Sequence, residues 1–240
     1  MSIKLAISGC HGRVGQAICD SAKKDPRFHI KTLFEIATHP KIKESVCGVM
    51  PSADNNALKG CDVLIEFTSP EATMQNLEVC LKYGVRMVIG TTGLNEEQVK
   101  KIESASKKIP IVFSSNMSIG VNVLFKMIEL ASKMLVGIDD IKITETHHIH
   151  KKDAPSGTAK TMLQIAEKFS NLKVKPVESI REGEVVGYHK ITFETPEDTL
   201  TLIHNAKNRG MFAKGGLAAA KFVMDKKNGL FTMKQVLGLE

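Results

Sequence analysis

A short apolar run, Ile3–Ser8, ends directly in Gly9-Cys10-His11-Gly12-Arg13-Val14-Gly15, and a helical pattern follows to about Lys23. A strand that feeds a glycine loop and then a helix constrains the fold more tightly than any other stretch of the chain. Glycines at such a place let the backbone turn sharply, approach a pyrophosphate and pack helix on strand, while the helix start offers amide donors. The usual dinucleotide fingerprint is G-x-G-x-x-G; here His11 stands at its second glycine, leaving G-x-x-G-x-x-G. Glu35 supplies the missing context. It closes the second apolar run, 20 residues after Gly15, where a carboxylate hydrogen-bonds a ribose hydroxyl.

Alternation continues through the first half. Residues 29–34 and 61–68 read as the second and third strands, and Pro70–Tyr83 as a helix with proline in its first turn. A strand over 85–90, a helix over 95–107 capped by Asn95, and a strand over 110–114 follow. Val/Ile-rich strands alternating with helices predict an α/β fold whose first part is a Rossmann-type, doubly wound parallel sheet. Near residues 117–120 the texture changes. A long amphipathic helix over 121–135 carries Val121, Leu124, Phe125, Ile128, Ala131 and Leu135 at helical spacing. After it come a strand over 138–146, a helix over 156–169, and two strands, 184–193 and 199–204, that alternate like antiparallel neighbours. A helix over 216–225 and an apolar tail over 229–239 end the chain. The predicted division is a dinucleotide-binding domain of residues 1–118 with 209–240, and a smaller α+β domain of residues 119–208.

Charge and cysteine usage narrow the function classes. Lys and Arg number 33 against 26 Asp and Glu, a net charge of +7. The basic residues are spread as pairs, such as Lys23-Lys24 and Lys107-Lys108, and aromatics make up 5% of the chain with no Trp. That argues against a nucleic-acid platform, which needs stacking surfaces, and fits small anions such as a dinucleotide or a dicarboxylate. The five cysteines (Cys10, Cys19, Cys47, Cys61, Cys80) form no CxxC pair, so neither a disulfide framework nor a structural zinc site is expected. No apolar run approaches a membrane span, and the apolar start at Ile3 is interrupted by Lys4 before it could serve as a secretory signal. A cytoplasmic address is expected.

Three constellations remain as candidates for chemistry. Glu66-Phe67-Thr68 and Gly90-Thr91-Thr92-Gly93 fall at strand C-termini, where open α/β sheets bind ligands. The densest is Glu145-Thr146-His147-His148-Ile149-His150-Lys151-Lys152-Asp153-Ala154-Pro155-Ser156-Gly157-Thr158-Ala159. Metal binding is disfavoured, because His147 and His148 would point opposite ways on a strand, no cysteine is near and the lysines oppose a cation. Surface histidines beside a helix start are one alternative. The other is a catalytic loop, in which a histidine and a lysine supply an acid and a cation and Ser156-Gly157-Thr158 offers amides and a hydroxyl to a carboxylate.

This last stretch resembles the signature of the dihydrodipicolinate reductase family, E-x-H-H-x-x-K-x-D-A-P-S-G-T-A, at every fixed position. The likeness extends to the glycine loop, Glu66-Phe67-Thr68, Gly90 through Gly93, Ser115 through Asn122, Arg181-Glu182-Gly183, and His204 through Gly216. It implies reduction of a cyclic dicarboxylate by NADH or NADPH in the diaminopimelate and lysine route, without a metal. His147 would be the proton donor and acceptor and Lys151 the second proton donor, with His148, Gly157 and Thr158 on the substrate carboxylates. The cofactor would lie against Gly9, Cys10, His11, Gly12, Arg13, Val14, Glu35, Gly90, Thr91, Thr92, Ser114, Ser115, Asn116 and Met117. The resemblance further implies a homotetramer whose second domain contributes a shared mixed sheet. Two departures matter. Ile36 stands where an arginine commonly accommodates a 2′-phosphate, which points to NADH, although Arg13 or Lys41 could reach that phosphate. Met117 replaces a common phenylalanine. Another two-domain dehydrogenase and a non-catalytic NAD-sensing protein are the rival readings.

Overall fold

A computed structural model describes residues 2–240. The chain divides into two compact units, the first formed by residues up to Ile119 with Arg209–Glu240, the second by Gly120–Asn208.

The first unit is built on a seven-stranded parallel sheet. Its strands are β1 (Ile3–Ser8), β2 (Phe28–Phe34), β3 (Pro51–Ser52), β4 (Val63–Glu66), β5 (Arg86–Ile89), β6 (Pro110–Phe113) and, from the end of the chain, β11 (Gly229–Phe231). The order is β11-β6-β5-β4-β1-β2-β3, so the chain reverses direction across the sheet at β1. The helices are α1 (Arg13–Lys23), α2 (Pro70–Tyr83), α3 (Glu96–Ser106), α6 (Gly210–Val223) and α7 (Met233–Leu237), with a short 3-10 turn at Asn55–Leu58.

Strand residues alternate between two cores. Leu5, Ile7, Ile65, Val88 and Val112 meet Ile18 and Cys19 of α1 and Ala213, Ala220 and Val223 of α6. Ala6, Leu64, Met87, Ile89 and Ile111 meet Leu77 and Cys80 of α2 and Ile102 of α3. Burial on both faces explains the unbroken apolar runs that marked these strands in the sequence. It also pushes the Cys10 thiol up to about 11 and that of Cys19 to about 12, so both stay protonated.

The second unit holds α4 (Ile119–Met134), which starts at the boundary, and α5 (Gly157–Ser170). They cover one face of a four-stranded sheet ordered β10-β9-β7-β8, made of β7 (Asp140–His147), β8 (Glu178–Arg181), β9 (Tyr188–Glu194) and β10 (Thr199–Asn205). β7 pairs in parallel with β8 and antiparallel with β9, so the sheet is mixed.

Several predicted bounds shift. The third strand is Val63–Glu66, shorter than residues 61–68. The strand expected over 184–193 begins only at Tyr188, because Gly183 takes a left-handed φ of +48° and turns the chain out of β8, itself unforeseen. The helix expected over 216–225 begins at Gly210, and the tail divides into β11 and α7. Gly215 and Gly216 both lie inside this helix, and one of them is there for close packing. A Cβ on Gly215 would lie 1.7 Å from the Met117 carbonyl oxygen, whereas one on Gly216 would make ordinary contacts from 3.5 Å outward. Among the described residues, no helix is long and apolar enough to cross a membrane.

These adjacent glycines should respond oppositely to alanine. Gly215→Ala forces backbone apart and should destabilise the fold by about 1–3 kcal/mol. Gly216→Ala gains helix propensity, up to about 1 kcal/mol. Thermal midpoints of both variants check this: equal shifts would refute the packing account.

Candidate active site

Strand register assembles one site in the second unit. β7 sets Ile141, Ile143, Glu145 and His147 on one face, the first two sealed beneath α4 and α5. β9 places His189 opposite Glu145, β10 places His204 opposite His189, and β8 places Arg181 opposite His147. Residues directly opposite one another share a sheet face. A polar row therefore continues the face whose other end is apolar core.

The Glu145 carboxylate, fully buried, is the centre of this row. One oxygen meets His147 Nδ1; the other accepts from Arg181 Nη2 at 2.9 Å and from the Ser156 amide at 3.3 Å. Burial alone would raise its pKa, but the guanidinium and the His147 ring outweigh burial and hold it below its ordinary value. An ionised carboxylate only accepts hydrogen bonds, so Nδ1 of His147 carries the proton and Nε2 does not. Nε2 lies beside Gly187, where a Cβ would stand 3.2 Å away. Burial draws His147 below its ordinary pKa, aided by Lys151 and Arg181 and opposed by Glu145. Burial also takes His189 down to about 4. Its Nε2 lies 3.3 Å from Ser156 Oγ, and its ring meets that of His147 edge-on at 5.1 Å.

Arg181 extends the network into the loop after β7. Its Nη2 donates to the Asp153 carbonyl at 2.5 Å and its Nε to the Lys151 carbonyl at 3.3 Å. Lys151 Nζ pairs with Asp153 at 2.6 Å. Burial would raise Asp153, but the lysine's hydrogen bond and charge hold it below its ordinary value. Ser156 caps α5, its Oγ accepting from the Ala159 amide at 3.2 Å, and no acidic side chain occupies the first turn. Gly157 and Thr158 open the helix, with open space where a Cβ on Gly157 would stand. β7 ends at His147, so His148 already belongs to the loop, not to the opposite face of the strand. Nδ1 of His148, His189 and His204 are buried without a partner. Glu145, His147 and His189 lie close enough to share a cation. The cation present on Glu145 is Arg181, and a second positive group, Lys151, lies near His147.

The first unit presents a different kind of site. Gly9 has φ +76° and lies against the Phe67 carbonyl, 2.9 Å from where its Cβ would be; a Cβ on Gly15 would fall 2.0 Å from the Gly9 oxygen. The loop can be this tight only with glycine. Gly12 caps α1 without a side-chain hydrogen bond, Arg13 stands exposed at the first helical position, Val14 is half-buried behind it, and the first turn has no acidic residue. Cys10 is buried in the core, so it offers the loop only its backbone. Glu35 accepts from the His11 amide and from the Ile36 amide, both at 3.1 Å. Each carboxylate oxygen keeps a lone pair for a ribose hydroxyl. His11 stacks on His39 at 5.0 Å, with a buried, unpartnered Nε2. These features fit a pyrophosphate and a ribose.

Elsewhere several of the predicted cofactor residues are also tied into the fold. Gly90 is glycine because a Cβ would strike the Phe67 ring at 2.2 Å. The Thr91 hydroxyl is committed, donating to Glu66 at 2.7 Å and accepting from the Thr68 amide at 2.8 Å. Thr92 is exposed. Ser114 Oγ donates to the Asn116 carbonyl at 3.1 Å, Asn116 Oδ1 accepts from the Ser118 amide at 2.8 Å, Ser115 lies between them, and Met117 is buried. Glu66, at a strand end the sequence singled out, is fully buried and accepts from Thr68, Thr73 and Thr91 hydroxyls at 2.5–2.9 Å. It braces β4, β5 and α2. Sequence reasoning assigned no role to Glu145, Arg181 or His189. For Glu145 and His189 the signal was present as polar residues in the same every-second-residue series as the buried Ile141, Ile143, Ile191 and Phe193; Arg181, in the polar strand β8, carried none.

Known proteins agree with this architecture. The family models described as dihydrodipicolinate reductase N-terminus and C-terminus match residues 3–117 and 120–237. The 4-hydroxy-tetrahydrodipicolinate reductase of Nitrosomonas eutropha is 37% identical over 264 residues, covering 99% of this chain and 98% of its own. That of Pelagibacter ubique is 38% identical, covering 98% of each. Among solved structures, a dipicolinate-bound dihydrodipicolinate reductase from Paenisporosarcina sp. TG-14 superposes with TM-score 0.83 at 24% identity, over 97% of this chain and 98% of its own. An amine dehydrogenase from Mycobacterium smegmatis shares the fold at TM-score 0.66 and 12% identity, over 97% and 95%. Matched by both halves of the family model and by full-length relatives, the chain belongs to the dihydrodipicolinate reductase family.

Proposed function

We propose that His147 is the proton donor and acceptor of this protein's reaction and Lys151 the second proton donor, with His148, Gly157 and Thr158 holding the substrate carboxylates. The activity is that of the family, nicotinamide-dependent reduction of 4-hydroxy-tetrahydrodipicolinate in the diaminopimelate and lysine route. A bound reduced nicotinamide supplies the hydride to the substrate ring. The observation that carries the residue roles is the carboxylate-oriented His147 at the end of β7, flanked by Lys151 and Arg181 and followed by the capped start of α5. Two cations and a helix start with no acidic side chain in its first turn suit a ring bearing two carboxylates, the class to which the Paenisporosarcina protein's dipicolinate belongs. Metal has no part in this reading, since Arg181 and Lys151 already supply the positive charge.

The pH dependence follows from charge. In the free enzyme His147 lies below its ordinary pKa, mainly through burial. A bound dicarboxylate favours the protonated ring and raises that pKa. kcat/KM reports the free enzyme and kcat the complex, so the alkaline limb of kcat should lie at higher pH than that of kcat/KM. His147→Gln should cut kcat by about 10²–10⁴-fold while leaving NADH affinity nearly intact. Steady-state rates with NADH fluorescence titration test both; equal loss of turnover and NADH affinity would make His147 structural.

The cofactor residues of the first unit are proposed to be Gly9 through Val14, Glu35, Gly90 through Thr92 and Ser114 through Met117, with NADH preferred. Glu35 repels a 2′-phosphate and hydrogen-bonds a free ribose hydroxyl, and the neighbouring Ile36 is 59% exposed and uncharged. Ile36→Arg adds one charge-assisted contact, about 1.5–3 kcal/mol. It should raise the NADPH-to-NADH ratio of kcat/KM by about 10–100-fold, and an unchanged ratio would remove the Glu35–Ile36 argument.

A homotetramer is proposed from the second unit's surface. Val123, Met127, Leu130 and Met134 form an exposed apolar stripe along α4, and the edge strand β10 exposes Leu200 and Ile203. Exposed apolar stripes and unpaired edges are surfaces that copies of a chain cover. Light scattering should give about four times 26.3 kDa, and Met127→Glu with Leu130→Glu should lower that mass; a monomeric native protein would refute the proposal.

A further inference from the structure

Three segments meet at the Glu145 carboxylate: β7, which carries Glu145 and, as its last residue, His147; β8 through Arg181; and the start of α5 through the Ser156 amide. Such convergence exceeds what holding a sheet end requires. The same Arg181 that neutralises Glu145 also binds the carbonyls of Lys151 and Asp153, and Asp153 in turn holds the Lys151 ammonium. We propose that Glu145 is a positioning residue for the reduction: its carboxylate fixes the His147 ring with Nδ1 protonated and Nε2 left for the substrate, and through Arg181 it sets the place of Lys151. The inference rests on His147 and Lys151 having the roles given above.

The geometry leaves the ring little freedom. His147 is closed in by the Glu145 carboxylate on its own strand, by Arg181 from β8, by the edge of the His189 ring from β9, and by the charge of Lys151 from the loop. His204 of β10 faces His189, one strand further out. Among these, Glu145 alone accepts the Nδ1 proton. Without that acceptor the imidazole can turn over or move its proton to Nε2, and a neutral ring in that form can neither take a proton at Nε2 nor pass one from it. Gly187 completes the arrangement, since any side chain there would crowd Nε2. Loss of the negative charge also removes the one group that draws His147 upward against burial, Lys151 and Arg181.

Glu145→Gln keeps the shape and removes the charge, and three readouts separate positioning from support. Nitrogen NMR of the histidines should show His147 as the Nδ1–H form in the native enzyme and as a mixed or Nε2–H form in Glu145→Gln. Turnover should fall by 10-fold or more, with the substrate KM changed less than kcat and NADH affinity unchanged. The alkaline limb of kcat should move to lower pH. His147→Gln combined with Glu145→Gln should be no slower than His147→Gln alone, because both changes disable the same group. Glu145→Gln leaves Arg181 unpaired; if it fails to fold, Glu145→Gln with Arg181→Met removes both charges and should show the same NMR and kinetic changes. An unchanged tautomer with native kcat, in either variant, overturns the inference. So does a loss of kcat matched by an equal loss of NADH affinity, which would mark Glu145 as structural. Native turnover in His147→Gln would instead overturn the underlying assignment of His147, a result this inference alone does not produce.

Discussion

A carboxylate shut away from water stays ionised only when a cation and hydrogen-bond donors face it. Glu145 meets that condition through Arg181, the Ser156 amide and His147, and much of the second unit is arranged around it. Removing one member of such a buried pair costs about 3–5 kcal/mol, since the other charge is left without a partner. The loop from His148 to Pro155 has little apolar anchorage: Ile149, His150 and Lys152 are exposed. It holds its shape because Arg181 ties its backbone to the strand end. Electrostatics, rather than packing, fixes the segment that carries the proposed reacting groups.

The first unit relies on another device, the close approach of backbones that only missing side chains permit. Gly15 on Gly9 and Gly215 on Met117 set helices hard against strand or loop, and Gly90 lets the Phe67 ring cross the end of β5. Its own buried carboxylate makes the contrast plain. Glu66 has three hydroxyl donors and no cation, and burial raises its pKa. Glu145 has a cation, and its pKa is lowered. Two glutamates, equally hidden from solvent, thus serve different ends. One braces three strand and helix termini, and the other holds a charge beside a histidine.

Local pattern and spacing carried most of the architecture. Pro70–Tyr83 appeared with its true bounds because Pro70 starts it and Gly84, in a left-handed conformation, stops it. α3 was equally clear, since Asn95 and Gln98 form a capping box. What escaped depended on contacts distant in sequence. β8 has only four residues, half-exposed, and gains its place by pairing with β7. The expected start of α6 came late, at the second of two glycines, and the reason for the first, Gly215, lies at Met117, nearly a hundred residues away. The His-His loop stood out in the sequence because its candidate groups lie in nearly consecutive residues. Its supports could not, because Arg181 and His189 reach Glu145 and Ser156 only through strand register.

The row that β7, β8, β9 and β10 create has an uneven charge. Arg181 and Lys151 are cations, Glu145 and Asp153 each answer one of them, and burial works to keep His147, His189 and His204 neutral. With its charges internally paired, the site holds little net charge before ligand arrives. A dianionic ring bound as proposed would bring two negative charges to a place where burial, helped at His147 and His189 by neighbouring positive groups, disfavours protonation of three imidazoles. Its arrival favours their cationic forms, and His147, the one already hydrogen-bonded to a carboxylate, has the strongest support for an added proton. On the proposed role of His147, the acid needed for reduction would then be created by the substrate itself. Proton and substrate would then enter together, since burial disfavours the charged imidazole in the empty site.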